Sequence, residues 1–341
     1  MHLRTVMTSA LAGSLAAFSA ATAMAQDNQV TVGVTTASSD AGIFIAQERG
    51  YFTEQGLEVT LTPFTSALPM MTAVATGEID VARGAQSAGL FNGFARGIEF
   101  KMVADGGSLS QGGGYLALSV RKDLADSGAI STAADLAGKR VAIAGEGGTS
   151  DIVLDRYLNT AGLSLADVER VSISIPDQMA AFTNQSIDAA ITLDPVMTAM
   201  VESGVAVRAV GGDEIYPNMQ AGILTYSSDF AANTDAATKF MVAYLKGVRD
   251  YNDAFFGGEG ADEVVDILVK HTAIADPTVF TRIVPAGLNP DGALNVQGLK
   301  DDLAWYRDNG FVETDVDVDT FVDTSFAEAA VEQLGAYADQ E

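Results

Sequence analysis

The residues of this sequence able to do polar chemistry sit in a few short stretches. Gly145-Glu146-Gly147-Gly148-Thr149-Ser150 follows the apolar run Arg140–Ala144 and precedes a helical pattern. A strand, a glycine-rich turn and a helix in that order aim backbone N–H groups and a positive helix end at an anion. The same turn also works as a tight connection capped by Thr149 or Ser150. It is not a dinucleotide fingerprint, because Ser150 stands where the third glycine belongs and no phosphate-binding lysine appears. Arg83 is the one basic residue in the candidate loops. Its guanidinium suits bidentate capture of a carboxylate or sulfonate, the alternative being a surface salt bridge. As a loop-end residue, its removal is expected to leave the fold intact. Asp194 precedes Pro195 at a strand end, where it can accept from a ligand amine or cap the next helix. Asp40 and Asp151 begin helices, a place carboxylates favour in any protein, and they argue against a purely anionic ligand. Asp315-x-Asp317-x-Asp319 is spaced like a calcium loop. Thr320 and Phe326 occupy the glycine and glutamate places of that loop, so no metal site is expected.

The elements that hold these residues alternate. Val30–Val34, Leu57–Leu61, Ile79–Ala82 and Phe100–Ala104 read as strands; Ser66–Thr76 and Ser87–Arg96 read as helices. Helices stop at Gly50, Gly77, Gly97, Gly162 and Gly204, where a left-handed residue often closes a helix. Strands alternating with helices of this length predict a mainly parallel sheet covered on both faces. Ligands of such sheets bind beyond the C-terminal strand ends. That rule selects Ser38, Ser39 and Asp40 after the first strand, Phe64 after the second, Arg83 and Gln86 after the third, then Gly147, Gly148, Thr149, Ser150 and Asp194. Phe64, Tyr115 and Tyr226 are candidates to stack on an aromatic solute, against a core role for each.

A second block echoes the first. Ser39-Asp40 returns as Ser150-Asp151, 111 residues on, and Ile79-Asp80 returns as Ile187-Asp188, 108 residues on. Two α/β lobes of similar design are expected, with chance similarity of short apolar strands as the alternative. From Phe230 the pattern turns helical over Lys239–Phe255, Asp262–His271 and Gly298–Asn309, with Met241, Tyr244, Leu245 and Val248 on one stripe. The expected organisation is lobe 1 over residues 26–117, lobe 2 over 118–221, and a return to lobe 1 over 222–341. The two crossings are expected near Tyr115–Val120 and Asn218–Thr225 and would act as the hinge.

Composition narrows the chemistry. The 341 residues carry 45 acidic and 19 basic side chains, two histidines and no cysteine, for a formal charge of −26. The scattered lysines and arginines do not form the basic footprint of a nucleic-acid binder. Without cysteine there is no disulfide, thiolate nucleophile or lipid anchor at cysteine, and His2 and His271 leave little for histidine catalysis. Residues 1–25 read as a cleaved secretory signal: Arg4, an apolar small-residue stretch, then Ala23-Met24-Ala25. A soluble, exported, acidic protein that is not a lipoprotein is expected.

Ala46-Gln47-Glu48-Arg49-Gly50-Tyr51-Phe52 with Gly56-Leu57-Glu58-Val59, then Ala75-Thr76-Gly77-Glu78-Ile79-Asp80-Val81-Ala82, Asp135-Leu136-Ala137-Gly138-Lys139-Arg140-Val141-Ala142 and Asp194-Pro195, come in this order along the mature chain. This series resembles the periplasmic solute-binding proteins of the sulfonate, nitrate, taurine and thiamine-precursor importers. The resemblance implies an α/β, type II periplasmic binding fold of two lobes on a two-segment hinge, with an acidic residue at Asp194 in the cleft. It also implies a small-molecule ligand (organic anion, zwitterion or aromatic acid) and an inner-membrane ABC permease with its ATPase as partner. No enzyme activity and no cofactor are expected. The alternatives are a sensor of the same fold or a pyrimidine-precursor enzyme, whose relatives use a cysteine-rich motif that this chain lacks.

Overall fold

The computed structural model describes residues 28–338 apart from 65, 66, 273 and 315; the signal-peptide expectation lies outside the described residues. Among the described residues, ten strands form two five-stranded sheets. The first contains β1 (Gln29–Val34), β2 (Glu58–Pro63), β3 (Val81–Ala85), β4 (Phe100–Ser108) and β10 (Gln220–Ser227). The second contains β5 (Leu116–Arg121), β6 (Arg140–Ile143), β7 (Glu169–Ser172), β8 (Ala189–Leu193) and β9 (Ala206–Gly211). Their orders are β2-β1-β3-β10-β4 and β7-β6-β8-β5-β9. In each sheet four strands run in one direction, and the strand that follows a crossing is inserted antiparallel to both its neighbours. The helices used below are α1 (Ala41–Glu48), α2 (Ala88–Ala95), α3 (Thr149–Asn159), α4 (Val196–Glu202), α5 (Thr234–Asn252) and α6 (Val296–Asp308).

The echo in the sequence is an echo in structure. Asp80 accepts the N–H of Thr31 at the start of β1 (2.8 Å), and Asp188 accepts the N–H of Arg140 at the start of β6 (3.0 Å). Each carboxylate satisfies a strand-end donor that has no ladder partner there. The five glycines expected to stop helices all have positive φ, between 72° and 81°.

Sheet membership moves the expected boundaries. Leu116 and Ala117 already pair with β8 and β9 in the second sheet, while Gln220 and Ala221 belong to β10 in the first. The crossings are therefore residues 109–115 and 212–219. Both lie N-terminal to the expected segments, because the apolar patterns at Tyr115–Val120 and Asn218–Thr225 are strands rather than connectors.

Chain after β10 packs back on the first sheet. The expected stripe of α5 (Met241, Tyr244, Leu245, Val248) is buried. Gly247 brings α5 against α1: a Cβ there would lie 2.1 Å from the Gly42 carbonyl oxygen. Side chains at that crossing interlock at near-crystalline density, so added volume has nowhere to go.

Candidate functional site

Four loops leave the C-terminal ends of β1, β3, β6 and β8, and the lobes meet there. Ser38 Oγ donates to the Asp194 carbonyl across the boundary at 3.2 Å. The Ala88 N–H donates to the Gly147 carbonyl at 2.8 Å, and Ser87 and Gly148 form an isolated antiparallel bridge. Ser38 thus meets Asp194, and the loop after Gln86 meets Gly147 and Gly148, at strand ends as the strand-end rule anticipates. Ser39 is buried in the same short helical turn as Asp40.

Arg83 is placed differently from the expectation. It lies within β3, 5% exposed, rather than at a loop end. Its Nε donates to the Gly106 carbonyl at 2.6 Å, its Nη2 donates to the same oxygen, and Nη1 stands 3.5 Å from Asp40 Oδ1. The guanidinium fits because glycines line its bed: a Cβ on Gly222 or Gly107 would come within 2.6 or 2.9 Å of Nη2. Irregular register between β10 and β4 at Gly222 opens this space. Asp105, just before the Gly106-Gly107 pair, accepts N–H bonds from Gly107 (3.1 Å) and Asn289 (2.8 Å) and one from the Gln220 amide. Burial pushes the Asp105 acid up to about 6 against those donors. Burial likewise raises Asp40, opposed by Arg83 and by the loop N–H groups.

The second-lobe turn is also held from within. Gly147, not Gly148, carries the left-handed backbone (φ 69°), whereas Gly148 is extended. The Gly147 N–H donates to Asp151 Oδ2 at 2.6 Å, so it is not a donor for a ligand. Ser150 Oγ accepts the Ala144 N–H at 3.3 Å, and Thr149 begins α3 half-buried beside it. Asp151 Oδ1 pairs with Arg170 at 2.9 Å. Asp194 is equally engaged: Oδ1 caps α4 through the Thr198 N–H (3.1 Å), and Oδ2 binds Arg208 and the Val284 N–H (3.3 Å). Its carboxylate braces α4 and also reaches lobe 1 at Val284, and its carbonyl makes a second contact between the lobes, with Ser38.

Tyr226 lies elsewhere, whereas Phe64 flanks the same strand-end edge beside Val34. Tyr226 is a core residue, wholly buried, with its hydroxyl on the Ala237 carbonyl and its ring against Phe230, Phe240 and Phe326. Because β10 is antiparallel, its C-terminal half runs away from the edge where the loops meet. Phe64 is half-buried at the end of β2, its N–H on the Val34 carbonyl. Of the calcium-like triplet, Asp315 is outside the described residues; Asp317 caps the Asp319 N–H and Asp319 pairs with Lys300.

Sequence reasoning missed a polar cluster beside the lobe contact. Asp302 of α6 accepts from Gln86 Nε2 (2.7 Å) and from the Tyr216 hydroxyl (2.9 Å), and Arg156 of α3 lies 3.6 Å over the Tyr216 ring. Trp305, one turn on, donates from Nε1 to Asp155 of lobe 2 at 2.9 Å. Burial pushes Asp302 up to about 7. Its helical pattern was legible, but no local spacing announces partners 86 and 216 residues away in the chain.

Two lobes of mixed α/β sheet, crossed twice by the chain and facing each other across strand-end loops, define the periplasmic binding-protein fold. The chain belongs to the NMT1/THI5-like family, whose model matches residues 37–253. Its fold is similar to the alkanesulfonate-binding protein SsuA from Xanthomonas axonopodis pv. citri bound to MOPS: TM-score 0.70, 21% identity, 87% of this chain and 98% of that one. It is also similar to the periplasmic aliphatic sulphonate-binding protein SsuA from Escherichia coli (0.71, 18%, 87% and 92%). A third similar structure is the periplasmic nitrate-binding protein NrtA from Synechocystis PCC 6803 (0.74, 15%, 92% and 90%).

Proposed function

We propose that this chain is the exported solute-binding component of an ABC importer. In this reading it loses residues 1–25, captures a small organic solute between its lobes and presents it, as a monomer, to an inner-membrane permease and its ATPase. One observation carries the reading. The strand-end loops of both sheets face each other across a boundary spanned by polar contacts, Ser38 and the Val284 N–H to Asp194, Ala88 to Gly147, Trp305 to Asp155 and the Arg282–Glu202 ion pair, and crossed by the chain at two segments. Family membership and the shared fold support it. Among the described residues no helix is long and apolar enough to cross a membrane. Hinge closure around a bound molecule is a known way for such lobes to work.

The test is a thermal-shift and scattering series on the purified protein with sulfonates, aromatic carboxylates, pyrimidines, amines and nitrate. A cognate class at about 100 times Kd should add about 2.7 kcal/mol of stability and shrink the radius of gyration. If no class stabilises the protein and scattering never changes, the reading fails.

A further inference from the structure

Between the short helix Pro277–Phe280 and Ala286 the chain leaves lobe 1 and reaches across to lobe 2. Both ends of this stretch are fixed to lobe 1. Val279 and Phe280 are buried, and their helix packs on the helix Ala261–His271, which lies against α1. Downstream, the Ala286 N–H donates to the Tyr251 hydroxyl (2.8 Å), the Gly287 carbonyl accepts the Ser108 N–H (2.7 Å), and the Asn289 N–H donates to Asp105 (2.8 Å). Residues 281–285 form the arch between. Arg282 returns its N–H to the Val279 carbonyl at 3.0 Å. From there to Ala286, among the described residues, the arch makes a single backbone hydrogen bond, from the Val284 N–H to Asp194 Oδ2 of lobe 2 at 3.3 Å. Pro285 has no N–H to give. The exposed Arg282 side chain also reaches lobe 2, where it pairs with Glu202 at the end of α4.

The arch lies on the strand-end junction. Asp194 meets lobe 1 twice: its carbonyl accepts from Ser38 Oγ (3.2 Å) and its carboxylate from Val284. The arch therefore passes within one residue of Ser38, which is 2% exposed. Its hold on lobe 2 is light, one backbone hydrogen bond and one ion pair at the surface. Releasing it strands nothing. Asp194 keeps Arg208 and the Thr198 N–H, while the Val284 N–H and the Arg282 guanidinium pass to water. Parting the lobes asks for more, because Ala88–Gly147 and Trp305–Asp155 must break as well. Local openings that cost little are the ones a protein samples most.

Resting on the solute-binding reading above, we propose that residues 281–285 are a lid over the strand-end junction, released at Asp194 and Glu202 while the two lobes stay together. A solute then enters or leaves past Ser38 by lifting the arch, and its passage is set by the two contacts of the arch with lobe 2.

The chain has no cysteine, so Ser38→Cys in the full mature protein places one thiol beside the arch, and its rate of modification by a maleimide reports how often the lid lifts. Val284→Pro in that background removes the N–H held by Asp194; labelling should quicken by about tenfold or more, the scale of a hydrogen bond to a charged group. Glu202→Gln should quicken it about two- to fivefold, the reach of an exposed ion pair. That second variant leaves the arch sequence untouched, and so keeps the test sound should Val284→Pro disturb the arch itself. Small-angle scattering should give the parent radius of gyration for both variants. Unchanged labelling in both overturns the lid. Faster labelling with a larger radius of gyration overturns it too, since the lobes would then be parting as a whole. No solute is needed, so either failure leaves the solute-binding reading standing, and that reading fails on its own series.

Discussion

Arg83 shows what one residue's placement decides. A guanidinium on a loop is an exposed clamp; the same group inside β3, with Asp40 at 3.5 Å and Gly106 beneath it, is an internal charge that the fold must keep compensated. Removing one member of a buried pair strands the other in a medium that solvates it poorly. Arg83→Met should therefore cost about 3–5 kcal/mol in urea unfolding, and adding Asp40→Asn should restore part of that. A loss below about 1 kcal/mol would return Arg83 to the role of a dispensable side chain. The sequence contained a sign of this placement, the Gly106-Gly107 pair at the end of a strand, since paired glycines in a strand mark close approach of something bulky. What arrives there was not legible, because the bed is built by β3, β4 and β10, which are far apart in the chain.

At the scale of elements, strands, helix stops and the repeated lobe design were readable because each depends on local periodicity and on glycine. The crossings were misplaced for the same reason: an apolar alternating run looks identical in a connector and in the strand that follows it. Helix α6 was legible as a helix, yet its role was not. It braces both lobes, through Asp302 to Gln86 and Tyr216 and through Trp305 to Asp155. This brace should depend on pH. The Asp302 acid is pushed up to about 7 from 3.8, so between those values the native state holds a proton that the unfolded chain has released. Stability from this group is therefore greatest in acid and falls as pH rises through that window, by up to roughly 1.4 kcal/mol per unit, with the loss complete above about 7. Asp302→Asn removes the titration. Relative to wild type, the variant should be more stable at pH 8 than at pH 5 in urea unfolding; an equal difference at both values would show that Asp302 titrates normally.

For the whole molecule, two crossings and the contacts of α6 join two sheets that are each complete within one lobe. The inserted strand β10 has a further consequence, which concerns time rather than geometry. It occupies a place inside the lobe 1 sheet, between β3 and β4, yet the 111 residues 109–219, including all of lobe 2, separate it from β4. Every strand of lobe 2 lies within one uninterrupted stretch, so its closures are shorter and cost less entropy. Pulsed hydrogen exchange during refolding should find amides of β5, β6 and β8 protected before those of β1 and β3; the reverse order would refute this. As the chain is synthesised, lobe 1 is therefore begun first and finished last. Its half-built sheet waits with an open edge at β3, the kind of edge that recruits stray strands, until residues 220–227 arrive to fill it.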